Sequence, residues 1–150
     1  ERCETDSKYC ILAVEEALRL ASPSNVPRLV IEDIEYDGVL IPKGTHLIFL
    51  NNLATRDPKA VVEPMRFDPD REHVNRHLAF GRGAHQCLGM HLARLQIEEG
   101  LHLIAQRIKS PQLAGDVKWR RFPGVWGIEA LPIRFEPADA ATCEGAREPV

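Results

Sequence analysis

The chain has 150 residues, 19 Lys and Arg against 22 Asp and Glu, a formal net charge of −3 and a hydrophobic fraction of 44%. A chain of this size buries about 70% of its unfolded surface on folding, so one domain with a modest core needs no disulfide or metal staple. No apolar run approaches the roughly 20 residues of a membrane-spanning helix, no basic-then-apolar leader opens the chain, and the near-neutral balance argues against nucleic acid as the main partner.

From Ser7 to Ala21, SKYCILAVEEALRLA sets Ile11, Val14, Leu18 and Ala21 at helical spacing. The pattern predicts a helix with Ser7 as N-cap that stops before Ser22-Pro23. Next, RLVIEDIEYDGVLIPKGTHLIFL is rich in β-branched and aromatic residues, with turn signals at Asp37-Gly38 and Pro42-Lys43-Gly44. It predicts a small antiparallel meander of strands. Residues Asn51 to Arg56 read as a short helix capped by Asn51 or Asn52. After it, Asp57-Pro58, Pro64 and Pro69 keep about twenty residues irregular up to Phe80, and a loop of that length is usually functional. A long helix is expected from about Leu88 to Ile108, with apolar stripes wide enough to be mostly buried. Beyond Ser110-Pro111, WRRFPGVWGIEALPIRFEP predicts two short strands around Pro123-Gly124, and residues 138–150 are expected to form a disordered tail.

Cysteines 3, 10, 87 and 143 are too few and scattered for a disulfide framework, so a reducing compartment is expected. Cys3, Cys10 and Cys143 read as free thiols. Cys87 differs, because it stands in Phe80-Gly81-Arg82-Gly83-Ala84-His85-Gln86-Cys87-Leu88-Gly89, directly ahead of the long helix. A helix N-terminus favours thiolate over thiol through its dipole and unpaired N–H groups. Gly81, Gly83 and Gly89 remove side chains where a flat ligand could approach backbone, Phe80 could pack beside it, and Arg82 and His85 add donors for an anionic edge. Three readings are open for Cys87: a buried structural cysteine, a zinc ligand with His85 or His91, and a thiolate ligand to haem iron. Zinc lacks a second cysteine at C-x₂₋₄-C spacing; haem needs only one.

At these residues the sequence resembles the cytochrome P-450 haem-thiolate monooxygenases. Phe80 to Gly89 matches the F-G-x-G-x-H-x-C-x-G signature at every fixed position, and Glu16-Ala-Leu-Arg19 matches the E-x-x-R pair. Ser22-Pro23, Ile41-Pro42-Lys43-Gly44, Arg56-Asp57-Pro58 and Phe67-Asp68-Pro69-Asp70-Arg71 look like the soluble bacterial members. The similarity runs from about Ile11 to Pro137. Thr55, where Asn is common, and Gln96, where an acid is common, depart from the pattern.

The resemblance implies an α+β fold: the C-terminal part of the P-450 fold, with E-x-x-R helix, small antiparallel sheet, irregular meander loop, Cys-ligand loop, long proximal helix and C-terminal β-hairpin. Residues 1–150 would then be a single partial domain, which fits a chain that begins at Glu1. It implies Cys87 as axial ligand of haem b (iron protoporphyrin IX), Arg28 and His85 on the propionates, and Phe80, Gly81 and Gly89 against the cofactor. His77 is a further propionate candidate, its other reading being a surface histidine. Glu16 and Arg19 are expected to lock the irregular loop through Arg66. Asn25, Val26 and Val125 are the substrate-facing candidates.

The complete enzyme would act in the cytoplasm, using O₂ and an electron donor of ferredoxin or flavoprotein type to oxygenate a small organic substrate. The four arginines and one glutamate between Arg71 and Arg94 could dock that donor or form a solvated patch. Glu99 and His102 read as a solvated helix face, and Trp119 to Arg121 as a strand edge. Two alternatives stand beside the monooxygenase reading. A stand-alone haem-binding or sensing module would show no turnover with a redox partner, and a small zinc-binding structural domain would carry zinc instead of iron porphyrin.

Overall fold

The computed structural model describes residues 1–72, 76–120 and 126–138. A short helix α1 (Arg2–Thr5) leads into α2 (Ser7–Leu20). The α2 cap is Asp6 instead of Ser7: its carboxylate accepts from the Tyr9 N–H at 3.0 Å, and Ser7 is already helical. The buried face of α2 carries Cys10, Ala13 and Val14, and with them Glu15, Glu16 and Arg19. Three charged residues on a buried face demand internal partners.

The expected meander forms as two separate ladders. Strand β1 (Val26–Leu29) pairs antiparallel with β4 (His46–Phe49), and the hairpin β2 (Ile34–Tyr36) and β3 (Val39–Ile41) is inserted between them. Asp37 and Gly38 both have positive φ, 50° and 74°, which suits the tight right-handed twist of a two-residue hairpin turn. Helix α3 (Asn51–Ala54) follows; Leu50 holds its cap position and no side chain caps it, contrary to the expected Asn51 or Asn52. The chain then runs irregularly to Phe80.

After the 3₁₀ turn Gly83–His85, helix α4 (Met90–Arg107) passes directly into β5 (Ile108–Leu113). Strands β6 (Lys118–Arg120) and β7 (Gly127–Ala130) form the predicted pair, and β8 (Ile133–Pro137) returns antiparallel to β5. Strand β5 was masked in the sequence by Ser110-Pro111. A register shift between Lys109 and Gln112, with Ser110 at φ 46°, absorbs the proline as a bulge. Ala138 still donates to the Arg107 carbonyl at 2.9 Å; the remainder of the expected tail, and the Pro123-Gly124 turn, lie outside the described residues.

Among the described residues the buried apolar side chains are Cys10, Ala13, Val14, Val30 and Ala79. Helix α4 packs on α1 and α2 yet buries no residue fully, which corrects the expectation of a mostly buried helix. Leu88 is 100% exposed and Leu92 61%. Periodicity records that a face is apolar, and nothing among the described residues covers this one.

His102 ties α4 to α1 instead of facing solvent. Its Nδ1 lies 2.6 Å from the Cys3 carbonyl, which can only accept, so Nδ1 donates and Nε2 accepts from Gln106 at 3.0 Å. Cys10 donates its thiol to the same carbonyl at 3.3 Å; burial, then the interaction with Cys3, pushes that thiol up to about 12, leaving it a packing residue.

Candidate functional site

Glu16 and Arg19 are buried together, 0% and 2% exposed. Arg19 Nε and Nη2 hold the Glu16 carboxylate at 2.7 and 2.8 Å, one helical turn apart. The remaining N–H groups of Arg19 reach the carbonyls of Thr55 (3.1 Å), Pro64 (2.7 Å) and Arg66 (3.2 Å), so all five guanidinium donors have acceptors. Glu16 Oε1 also accepts from the Asp68 N–H at 3.0 Å and stands 3.4 Å from Arg71 Nε. Burial opposes ionisation of Glu16, but the hydrogen bonds from Arg19 and Asp68 outweigh it and hold the carboxyl below its ordinary value. Thr55, the departure from the family pattern, is buried and donates its hydroxyl to the Arg19 carbonyl at 2.8 Å.

The cluster locks the irregular loop as expected, but through a different arginine. Arg66 contributes only its carbonyl; its side chain is 61% exposed and paired with Glu63. The second guanidinium is that of Arg71, which besides Glu16 binds the carbonyls of Val62, Glu63 and Arg66. Helical spacing could not separate the two arginines. The run Phe67-Asp68-Pro69-Asp70-Arg71 was the usable signal, since it carries both Arg71 and Asp68, whose N–H binds the same Glu16 oxygen.

On the other side of α2 lies the Cys87 loop. Gly81 and Gly83 have φ of 69° and 80°, a region that resists any side chain, and this tight path carries the chain around His85 to Cys87. The Cys87 N–H donates to the Phe80 carbonyl at 2.9 Å, closing the loop just before α4. Gly89 is the N-cap residue of α4 at an ordinary φ of −85°.

Cys87 is exposed, so none of the described residues buries it. It lines a cavity of about 670 Å³ together with His85, Arg28, Phe80, Gly81, Arg82 and Val26. Five of the predicted site residues besides Cys87 thus converge on one space from β1 and the loop. Asn51 also lines it, with a buried Nδ2 that has no partner among the described residues. Gly89 and Asn25 are not on its wall, and Val125 lies outside the described residues. Among the described residues no three His, Cys, Asp or Glu side chains gather as a metal site, so the zinc alternative has no ligand set there.

His77 is not a surface histidine and does not line the cavity. Its side chain is 1% exposed, with Nε2 3.1 Å from Glu15 Oε2, and Arg94 binds the same carboxylate through Nε and Nη2. Arg71 and Arg94 are therefore engaged inside the fold, and the arginine-rich stretch offers Arg76 and Arg82 to solvent, not all four.

Comparison with known proteins decides the family. The cytochrome P450 family model matches residues 5–124. The chain belongs to the cytochrome P450 family. It is 42% identical over 128 residues to luteothin monooxygenase of Streptomyces thioluteus, covering 84% of this chain and 32% of that protein. It is likewise 42% identical over 127 residues to the biotin biosynthesis cytochrome P450 of Bacillus subtilis, covering 83% and 32%. The crystal structure of CYP108D1 from Novosphingobium aromaticivorans superposes with a TM-score of 0.80 at 40% identity over 91% of this chain and 33% of that one. The chain spans about a third of the length of these P450 relatives, as a partial domain of mixed helices and strands. No helix among the described residues is long and apolar enough to cross a membrane.

The residues present fit the haem that the family implies. The cavity offers one accessible thiol, an apolar wall from Phe80 and Val26, and the cationic or donor side chains of Arg28, Arg82 and His85. Those are the requirements of an apolar disc with an acidic edge around a thiophilic iron.

Proposed function

We propose that this chain is the haem-binding part of a monooxygenase in which Cys87 is the axial thiolate of haem b. The single observation that carries the reading is the exposed Cys87 on the wall of a cavity shared with Arg28, His85 and Phe80. Bound there, haem would supply the electron transfer and O₂ activation by which one oxygen atom enters a small organic substrate and the other leaves as water.

The chain's own residues provide the holding and orientation. Arg28 projects from β1, where its only side-chain partner among the described residues is the neighbouring Pro27 carbonyl at 2.8 Å, leaving most of its fork for a carboxylate. His85, exposed at the end of the 3₁₀ turn, supplies a second donor to a propionate. Phe80 and Gly81 would shape the cavity side of the loop against the macrocycle, and Gly89, off the wall, starts α4 behind Cys87. Asn25, Val26 and Val125 are assigned to the substrate side, with Val26 on the cavity wall. Arg76, exposed and off the cavity wall, would face an acidic electron donor of ferredoxin or flavoprotein type, in the cytoplasm. The bare apolar face of α4 is read as surface completed by the rest of the P450 fold, and turnover as a property of the whole protein.

The test is Cys87→Ala in the full-length haem protein. The wild type is expected to show a red-shifted Soret band in the reduced carbonyl complex, and the variant to lose it. A red-shifted band in Cys87→Ala refutes the ligand assignment.

A further inference from the structure

Glu15, His77 and Arg94 form a second charged cluster that the haem site does not use directly. His77 Nδ1 accepts from the Ala79 N–H at 3.2 Å, so that nitrogen is unprotonated and Nε2–H is left to donate to Glu15. The neutral tautomer is thereby specified by its two partners. Glu15 is 4% exposed and also held by the fork of Arg94, at 2.5 Å through Nε and 3.0 Å through Nη2. The Arg94 guanidinium in turn lies 4.8 Å from the centroid of the Phe80 ring, and the His77 ring is 6.3 Å from the same ring. Residues 77–80 are thus gripped from α2 by Glu15 and from α4 by Arg94. Their far end is the Phe80 carbonyl, which receives the Cys87 N–H.

We infer that His77 is a positioning residue for the Cys87 ligand, acting through Ala79 and Phe80 as the loop's member of a Glu15–His77–Arg94 clamp centred on the Glu15 carboxylate. The inference rests on the haem-thiolate reading above. A nearly buried carboxylate shared by a histidine and an arginine costs desolvation and is a poor way to gain stability alone. It is a good way to permit only one geometry, because each of the three groups is satisfied in one arrangement. The clamp joins the E-x-x-R helix, the ligand loop and the proximal helix at one point, and it sets where the Phe80 carbonyl stands.

The experiment compares His77→Phe, His77→Asn and His77→Gln with wild type in the full-length haem protein. Phe keeps a ring but no hydrogen bond, Asn is too short to reach Glu15, and Gln restores a donor near the place of Nε2. The readouts are the fraction of the reduced carbonyl complex in the red-shifted thiolate band, and the rate of haem loss to an excess acceptor protein. Phe and Asn are expected to lose much of the red-shifted fraction and to release haem about tenfold faster, the usual scale for removing an outer partner of a metal ligand. Gln is expected to recover most of both. Wild-type band and haem retention in His77→Asn overturn the clamp, even if His77→Phe fails to accumulate; so does a Gln variant no better than Asn. A wild-type protein without the red-shifted band refutes the thiolate reading itself, whereas a normal wild type beside an unaltered Asn variant refutes only the clamp.

Discussion

Glu15 and Glu16 are neighbours on one helix, and they serve two regions that differ in kind. Glu16 faces the irregular loop, where Arg19, Arg71, one backbone N–H and a set of carbonyls satisfy one another within the chain. Glu15 faces the ligand loop and α4, where Cys87 is exposed, the cavity is open and the apolar stripe of α4 is bare. The first region is internally complete; the second is pre-shaped on its inner side and open on its outer side. Both carboxylates are saturated, but one stands inside a closed network and the other behind an open cavity and exposed apolar surface.

The comparison is broken most severely by Glu16→Gln. It leaves the Arg19 charge buried beside a neutral amide, a loss on the order of 3–5 kcal/mol for one partner of a buried pair. That is a large share of the roughly 5–15 kcal/mol by which domains are stable, so thermal melts of the full-length protein should show a steep drop in Tm or no soluble protein. A smaller effect distinguishes the two arginines of the irregular loop. Arg71→Ala removes a charge-assisted bond and several carbonyl partners and should cost about 1.5–3 kcal/mol in denaturant unfolding, whereas Arg66→Ala, with its exposed side chain, should leave the midpoint where it is. Equal losses at the two positions would contradict the arrangement seen here.

The smallest effect comes from acid, and it touches both sides of α2. Burial disfavours the charge on Glu15, but the bonds from His77 and Arg94 prevail, so its carboxyl, like that of Glu16, is lowered from its ordinary value. As pH falls, the unfolded chain takes up these protons first. The stabilisation is complete above the ordinary carboxylate range, about pH 4, and is lost as pH falls through the lower folded values. Unfolding midpoints should hold down to that range and decline below it. In Glu16→Gln, if it folds, the decline should be shallower.

The Cys87 loop was legible because its pattern is local: ten consecutive residues, Phe80 to Gly89, carry the thiol, His85 and the glycines that make the turn. The pairing of Glu16 with Arg19 was legible for the same reason, being one helical turn. What escaped were partners distant in sequence. Arg71 reaches Glu16 across 55 positions and Arg94 reaches Glu15 across 79, and neither has a periodicity to announce it. His77, read as a propionate candidate or else a surface histidine, has neither role in the fold because its partner Glu15 lies 62 positions away. Strand β5 was hidden by a proline that a bulge accommodates.

Sequence alone therefore determined the family resemblance, the glycine turns ahead of Cys87 and the helix that follows it, because each depends on residues a few positions apart. Tertiary structure decided which arginine completes the Glu16 cluster, that His77 is buried against Glu15, that Arg28 joins Cys87 and His85 around one cavity, and that α4 keeps its apolar face uncovered. These are contacts made by chain reversal: a charge in a buried site takes whichever partner the fold carries to it, and the distance along the chain leaves no trace in local pattern.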